Sequence, residues 1–241
     1  MVLIHVVRGF GTTMRHLKSV KLKKVKGASS HEWLSRQLTD PYVEKAKIMN
    51  YRCRSAFKLL EIDDRFKILR PGFVVIDCGA APGSWSQVAV RRVNSDGSDP
   101  KQAQGLVLSI DKQQIFAING ATILGNLDFT DVKSQEILVE VLGGKKADAV
   151  ISDMAPNASG FKELDNENII KLCYSVLRFA VQNSRAGACL VVKLWQCGQA
   201  KQLENDFSKF YASVKYVKPN SSRSDSAEIF LLGRDFKGLK N

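Results

Sequence analysis

Beyond residue 70 the chain alternates short apolar runs with amphipathic stretches. Phe73 to Asp77, Gly105 to Ile110, Ala147 to Ser152 and Cys189 to Leu194 read as strands, and a further strand ends near Asn126. Between them, Ser84 to Val93, Val132 to Leu142, Asn166 to Gln182 and Gln199 to Phe210 carry apolar residues at helical spacing, and strands near Val214 to Val217 and Glu228 to Leu232 close the pattern. Such alternation predicts an α/β domain, an open and mostly parallel sheet with helices on both faces. Upstream, His31 to Asp64 reads as helical until Pro71-Gly72 stops it, and Asn94 to Gln104, rich in Ser, Asp, Gly and Gln, reads as a solvated insertion without function.

At 241 residues the length suits one such domain, and 44% hydrophobic with 25% charged residues is ordinary for a chain that buries a core. The apolar run at Val2 to Val7 is broken by His5 and falls far short of the ~18 residues of a spanning helix. Charge changes the picture more. The net is +12, and residues 1–30 hold Arg8, Arg15, Lys18, Lys21, Lys23, Lys24 and Lys26 with no acidic residue. A basic, acid-free leader reads as a mitochondrial transit peptide ahead of a single domain over 31–241, a basic RNA-binding arm being the alternative.

Five cysteines (Cys53, Cys78, Cys173, Cys189, Cys197) form no CxxC pair, so no zinc knuckle or disulfide framework is expected. All three histidines, His5, His16 and His31, lie in or beside the leader. Ser-His-Asp, Cys-His and His-metal chemistries are thereby excluded from the domain, and acid–base work falls to Lys, Asp, Glu or Tyr.

The most informative stretch is Val74 to Ser86, a buried strand running into Gly79-Ala80-Ala81-Pro82-Gly83 and then a helix. A glycine turn at the carboxyl edge of a sheet is where such folds bind ligands. Neither GxGxxG nor a Gly-Lys-Ser/Thr ending is present, so a ligand without pyrophosphate fits better. S-adenosylmethionine needs close backbone approach and carboxylates: Asp111, ending the second strand, suits the ribose diol, and Asp128 suits the adenine amino group. The alternative for each is a cap or turn residue. Asp153 and Lys193 end the fourth and fifth strands at the same edge, either as a structural ion pair or as catalytic groups.

Phe57-Lys58-Leu59, Asp77 to Gln87, Ser152-Asp153-Met154-Ala155-Pro156-Asn157, Val192-Lys193 and Pro219-x-Ser221-Ser222-Arg223 with Glu228 together resemble the FtsJ (RrmJ) family of ribose 2'-O-methyltransferases, from about Trp33 to Leu232. The resemblance implies a Rossmann-like S-adenosylmethionine-dependent fold with a seven-stranded sheet whose last strand is antiparallel. It implies a catalytic tetrad of Lys58, Asp153, Lys193 and Glu228. It also implies a cofactor site of Gly79, Pro82, Gly83, Ser84, Trp85, Asp111, Asp128, Phe129 and Asp153, with Ser84 where the family often has Gly, and no metal. With the basic leader it points to the mitochondrial branch: a uridine of large-subunit rRNA, free or in an assembling ribosomal particle, modified in the matrix.

The tetrad makes chemical sense, because a ribose hydroxyl is a weak nucleophile unless its proton is removed or its oxygen oriented. An ordinary lysine is neutral in only about one copy in 2,500 at pH 7, so a lysine base needs a neighbouring cation or burial to discharge it. Lys58 is the candidate cation, while Asp153 and Glu228 act in the opposite sense, which leaves Lys193 as base or as charged positioner. Lys45, Lys47, Arg52 and Arg54, with Lys218 and Arg223, are expected to give RNA phosphates a basic margin. Trp85 and Trp195 read as core or loop-packing residues rather than base-stacking platforms. Rivals are the same chemistry on tRNA or an mRNA cap, and a catalytically idle RNA-binding assembly factor.

Overall fold

The computed structural model describes residues 40–239. The leader at 1–30 and the first part of the predicted helical stretch, 31–39, lie outside them. The chain divides into Met1–Asp40 and Pro41–Asn241, and the second unit carries all the elements that follow.

The helical stretch before Pro71 is two helices. α1 (Pro41–Ile48) starts with proline in the first turn, where its missing N–H costs nothing. Asn50 then takes a left-handed conformation (φ 57°) and Tyr51 to Ser55 run without helix before α2 (Ala56–Phe66). A break was not legible because every residue there tolerates helix; the buried Tyr51, edge-on to Phe57, holds the corner instead.

From Val74 the order is β1 (Val74–Cys78), α3 (Ser84–Val93), β2 (Leu106–Asp111), β3 (Ala121–Gly125), α4 (Val132–Leu142), β4 (Ala147–Ser152), α5 (Lys162–Asn183), β5 (Ser184–Trp195), α6 (Ala200–Phe210), β6 (Tyr211–Val217) and β7 (Glu228–Phe236). One sheet runs β3-β2-β1-β4-β5-β7-β6. β1 to β5 are parallel; β7 is antiparallel to both neighbours. The central strands are mostly apolar, as suits strands covered on both faces. Alternate residues feed two cores: Val75, Val107, Ala149 and Val191 pack with α2 and α3, while Ile76, Leu108, Val150 and Leu190 pack with α4, α5 and α6.

Two features place the site. The chain leaves β1 for β2 on one side and later returns to put β4 on the other, so the carboxyl ends of β1 and β4 flank a switch point where ligands bind in open α/β sheets. Because β7 runs against the others, its first residue arrives where β5 ends: Glu228 pairs with Trp195, and Phe230 with Lys193.

The stretch Asn94 to Gln104 is more built than its composition suggested. Asn94 is buried, donating through Nδ2 to the carbonyls of Asp99 (2.9 Å) and Gln102 (3.2 Å) and accepting from Asp99 N (3.0 Å). One buried amide thus takes over the backbone pairing that a solvated loop leaves to water.

Candidate active site

The turn after β1 is shaped by glycines that no other residue replaces. Gly79 has φ 75°, and a Cβ there would lie 2.0 Å from Met154 Cγ. Gly83, at the N-terminus of α3, has φ 109°, with Arg52 Nη1 and Ile118 Cδ1 each 2.7 Å from where a Cβ would stand. The turn is tied to β2 by Gly79 N and Ala80 N, both donating to Ile110 O (2.9 and 3.1 Å).

Beside it opens a cavity of about 630 Å³. Gly79, Ala81, Asp111, Asp128, Phe129 and Asp153 all border it. Asp111 is held by two backbone donors, Ala81 N on Oδ2 (2.9 Å) and Gln113 N on Oδ1 (2.7 Å), which leaves each carboxylate oxygen a free lone pair. Asp128 Oδ1 accepts from both the hydroxyl and the backbone N–H of Thr130, which hold its carboxyl below the usual range and leave Oδ2 outward. Phe129 packs edge-on to Phe179 in the core while bordering the cavity.

The structure does not bring the other four expected cofactor residues to this wall. The Pro82 carbonyl accepts from Arg52 Nη1 (2.7 Å), Gly83 starts α3, and Ser84 is buried against Cys53 Sγ (3.0 Å). Trp85 is 2% exposed, tilted against Phe230, with its indole N–H donating to Ser55 O (2.9 Å).

Adjoining the cavity through Asp153, the two lysines and two carboxylates meet. Lys58 Nζ sits 2.7 and 2.8 Å from the two oxygens of Glu228 and 3.9 Å from Asp153 Oδ1. Lys193 Nζ lies 2.9 Å from the same Asp153 oxygen, 2.5 Å from Asp153 O, and 4.0 Å from Glu228 Oε2. Lys58 thus claims Glu228 and leaves Lys193 to Asp153. Burial pushes the Asp153 carboxyl upward, but Lys193 and Lys58 outweigh it, so the group stays below its ordinary range and ionised. All four side chains are between 10 and 17% exposed, enough to meet a substrate while keeping the charges strong.

Under the turn, Asp77 shows the opposite balance. It is 1% exposed and no cation among the described residues reaches it; Ser86 Oγ donates to its Oδ2 (2.7 Å), and Ser109 Oγ donates to Ser86 (2.9 Å). Burial, reinforced by Asp153 and Asp111, raises its carboxyl from 3.8 to about 7.

Several residues outside the expected set shape this edge. Ser55 Oγ donates to Asp153 Oδ2 and Ser222 Oγ to Glu228 Oε1 (3.0 Å). Glu61 accepts from Asn220 N (2.5 Å) and Ser221 N (3.1 Å), and Arg54 Nη2 donates to Ser221 O (2.5 Å). The signal for Ser222 was present in the Pro219 motif; Ser55 offered none beyond its place ahead of a helix. Arg52, expected in the phosphate margin, donates to the carbonyls of Pro82, Phe116 and Ala117 and so clips the glycine turn to the loop after β2. Its guanidinium belongs to the scaffold. No cluster of metal-ligating side chains and no helix long and apolar enough to cross a membrane occurs among the described residues.

Comparison with known proteins agrees with this geometry. The chain is 58% identical over 215 residues to rRNA methyltransferase 2, mitochondrial, of Drosophila melanogaster, covering 89% of this chain and 86% of that one. It is 44% identical over 229 residues to ribosomal RNA large subunit methyltransferase E of Roseobacter denitrificans, covering 94% of each. Among solved structures, a Plasmodium falciparum protein described as a ribosomal RNA methyltransferase superposes with a TM-score of 0.68 at 27% identity, over 78% of this chain and all of that one. The profile of FtsJ-like methyltransferases matches residues 51–236, and with it the glycine turn after β1 and Lys58, Asp153, Lys193 and Glu228, so the chain belongs to the FtsJ-like methyltransferase family.

Proposed function

We propose that the protein transfers a methyl group from S-adenosylmethionine to a ribose 2'-hydroxyl, that of a uridine in mitochondrial large-subunit rRNA, and so serves ribosome assembly. The observation that carries the chemistry is the juxtaposition of Lys58, Asp153, Lys193 and Glu228 at the rim of the cavity. No histidine lies beyond residue 31 to compete for the acid–base role.

The cavity suits the cofactor. Its floor is a glycine turn that a side chain would fill, and its walls carry Asp111 and Asp128 with acceptor positions to spare. Asp111 would hold the ribose diol, Asp128 the adenine amino group, and Gly79 and Ala81 would allow close backbone approach. When bound, the cofactor supplies an electrophilic methyl group on a sulfonium. The chain supplies the rest. Lys193, held by the carboxylate and the carbonyl of Asp153, would take the hydroxyl proton, and Lys58, paired with Glu228, would align the ribose. The family relatives support the substrate: their names specify rRNA, and one names the mitochondrion.

Residues 1–30 are, in this reading, a transit peptide that directs the domain to the matrix, where free rRNA or an assembling particle is the partner. The test is to map ribose methylation in mitochondrial rRNA with and without the protein, and to follow labelled methyl transfer to an rRNA transcript. A uridine that loses its 2'-O-methyl group when the protein is absent supports the assignment. Unchanged methylation across the large-subunit rRNA would refute it.

A further inference from the structure

Each carboxylate of the tetrad accepts one hydroxyl from outside it. Asp153 shows Oδ1 to the two ammonium groups and Oδ2 to Ser55; Glu228 Oε1 is shared between Lys58 (2.7 Å) and Ser222 (3.0 Å). Both serines are held by their own supports. Ser55 O accepts from the buried Trp85 indole (2.9 Å). Ser222 is 7% exposed, in the loop pinned to α2 by Glu61 and to the preceding segment by Arg54. Neither hydroxyl reaches the cavity wall, and neither supports a regular helix cap: Ser55 makes no side-chain cap bond to α2.

We propose that Ser55 and Ser222 are positioning residues for methyl transfer, each donating to one tetrad carboxylate so as to fix its orientation and disperse its charge, which weakens the carboxylates' hold on Lys193. This rests on the reading of the tetrad as the methyl-transfer site. The argument is electrostatic. A carboxylate 2.9 Å from an ammonium strongly favours the charged form, which opposes any role as a base. A hydroxyl donated to the second oxygen draws negative charge away from the first, in a half-buried setting where hydrogen bonds polarise one another. The titratable and charged groups around Lys193 are Lys58 on α2, Asp153 after β4, Cys173 on α5 and Glu228 on β7. Only Asp153 and Glu228 among them accept a hydroxyl from outside the tetrad at the edge facing the lysines. Trp85 thereby has a place in the site at one remove: it holds the residue that holds Asp153.

The experiment compares threonine and valine at each position, because the two are nearly isosteric and differ in the hydroxyl. In the cofactor-free protein, the rate of acetylation at Lys193 by acetic anhydride at pH 8, read by peptide mass spectrometry, reports the neutral amine. Ser55→Val should slow it two- to fivefold and Ser222→Val by a smaller factor, while Ser55→Thr and Ser222→Thr keep the wild-type rate. A purely structural loosening would expose the lysine and speed labelling, the opposite sign. In turnover, Ser55→Val should lower kcat roughly tenfold with KM for S-adenosylmethionine and RNA within twofold, and the rising limb of the pH–rate profile should move to higher pH. Unchanged or faster labelling in folded valine variants overturns the proposal. If labelling shifts as stated but wild-type protein transfers no methyl to rRNA, the positioning role stands and the substrate reading falls.

Discussion

The floor of the cofactor cavity and the tetrad beside it each bury a carboxylate at the end of a central strand, and the two carboxylates behave in opposite ways. Asp77, next to last in β1, has one hydroxyl partner, and burial lifts it to about 7. Asp153 follows β4, the neighbouring strand, and two ammonium groups hold it below the ordinary carboxylate range although burial opposes them. Desolvation is common to both; what differs is whether a cation comes within reach. The same sheet edge therefore offers a carboxyl that is half-protonated near neutral pH beneath the glycine turn and an ionised one facing the two lysines. The first suits a packed floor and the second suits holding a lysine.

The largest expected effect breaks the tetrad. Lys193→Ala should cut methyl transfer by ~10²–10⁴-fold while S-adenosylmethionine affinity, measured by calorimetry, stays within about threefold. A reduction under about tenfold removes Lys193 as the base. Lys193→Arg should fail as well, because a guanidinium does not give up its proton at accessible pH.

The comparison sharpens through pH. Because the folded-state value of Asp77 is raised, the native protein binds this proton more tightly than the unfolded chain. The stabilisation is full below about pH 4 and is lost as pH rises through about 7. Asp77→Asn does not titrate, so wild type should lose stability relative to this variant between pH 5 and pH 8. A shift of about 3 pH units at 1.36 kcal/mol each sets a ceiling of ~4 kcal/mol. Urea midpoints at the two pH values read it, and parallel changes in both proteins would show that Asp77 does not titrate in this window. Asp153 works in the other sense: its contribution is present at neutral pH and lost only as pH falls through its lowered folded-state value.

A smaller effect tests the cavity wall. Asp111→Ala removes a carboxylate that borders the cavity and should weaken S-adenosylmethionine by roughly 1.5–3 kcal/mol in a folded protein. Unaltered affinity would take Asp111 out of the site. The smallest concerns the leader: a chain beginning at Ser29 should match the full-length protein in methyl transfer and RNA affinity in vitro, yet remain outside mitochondria. If the seven basic residues bind phosphates instead, the slope of log affinity against log salt should flatten by ~0.7–0.9 for each phosphate that the shortened chain no longer neutralises.

Much of this edge was readable from the chain alone. The cofactor turn is contiguous, so β1, Gly79, Gly83 and α3 announce themselves through a buried run, two glycines and a helical period. Strand ends identified Asp111, Asp153 and Lys193, because in a parallel sheet every carboxyl end faces one way. Arg52 was misplaced for a related reason: clustering along the sequence says that charge is present, not that three carbonyls will surround it.

Element order, the sheet's parallel character, the basic leader and the lack of histidine beyond residue 31 follow from the sequence, since period, composition and turn chemistry are properties of neighbouring residues. The meeting of Lys58 with Glu228 across 170 positions, the hydroxyls of Ser55 and Ser222 on the carboxylates, and the divergence of Asp77 from Asp153 do not. They depend on an antiparallel β7 inserted beside β5, and on which charges packing leaves within a few ångströms of one another. Desolvation and Coulomb interactions vary with distance and burial, and those are set by the assembled fold.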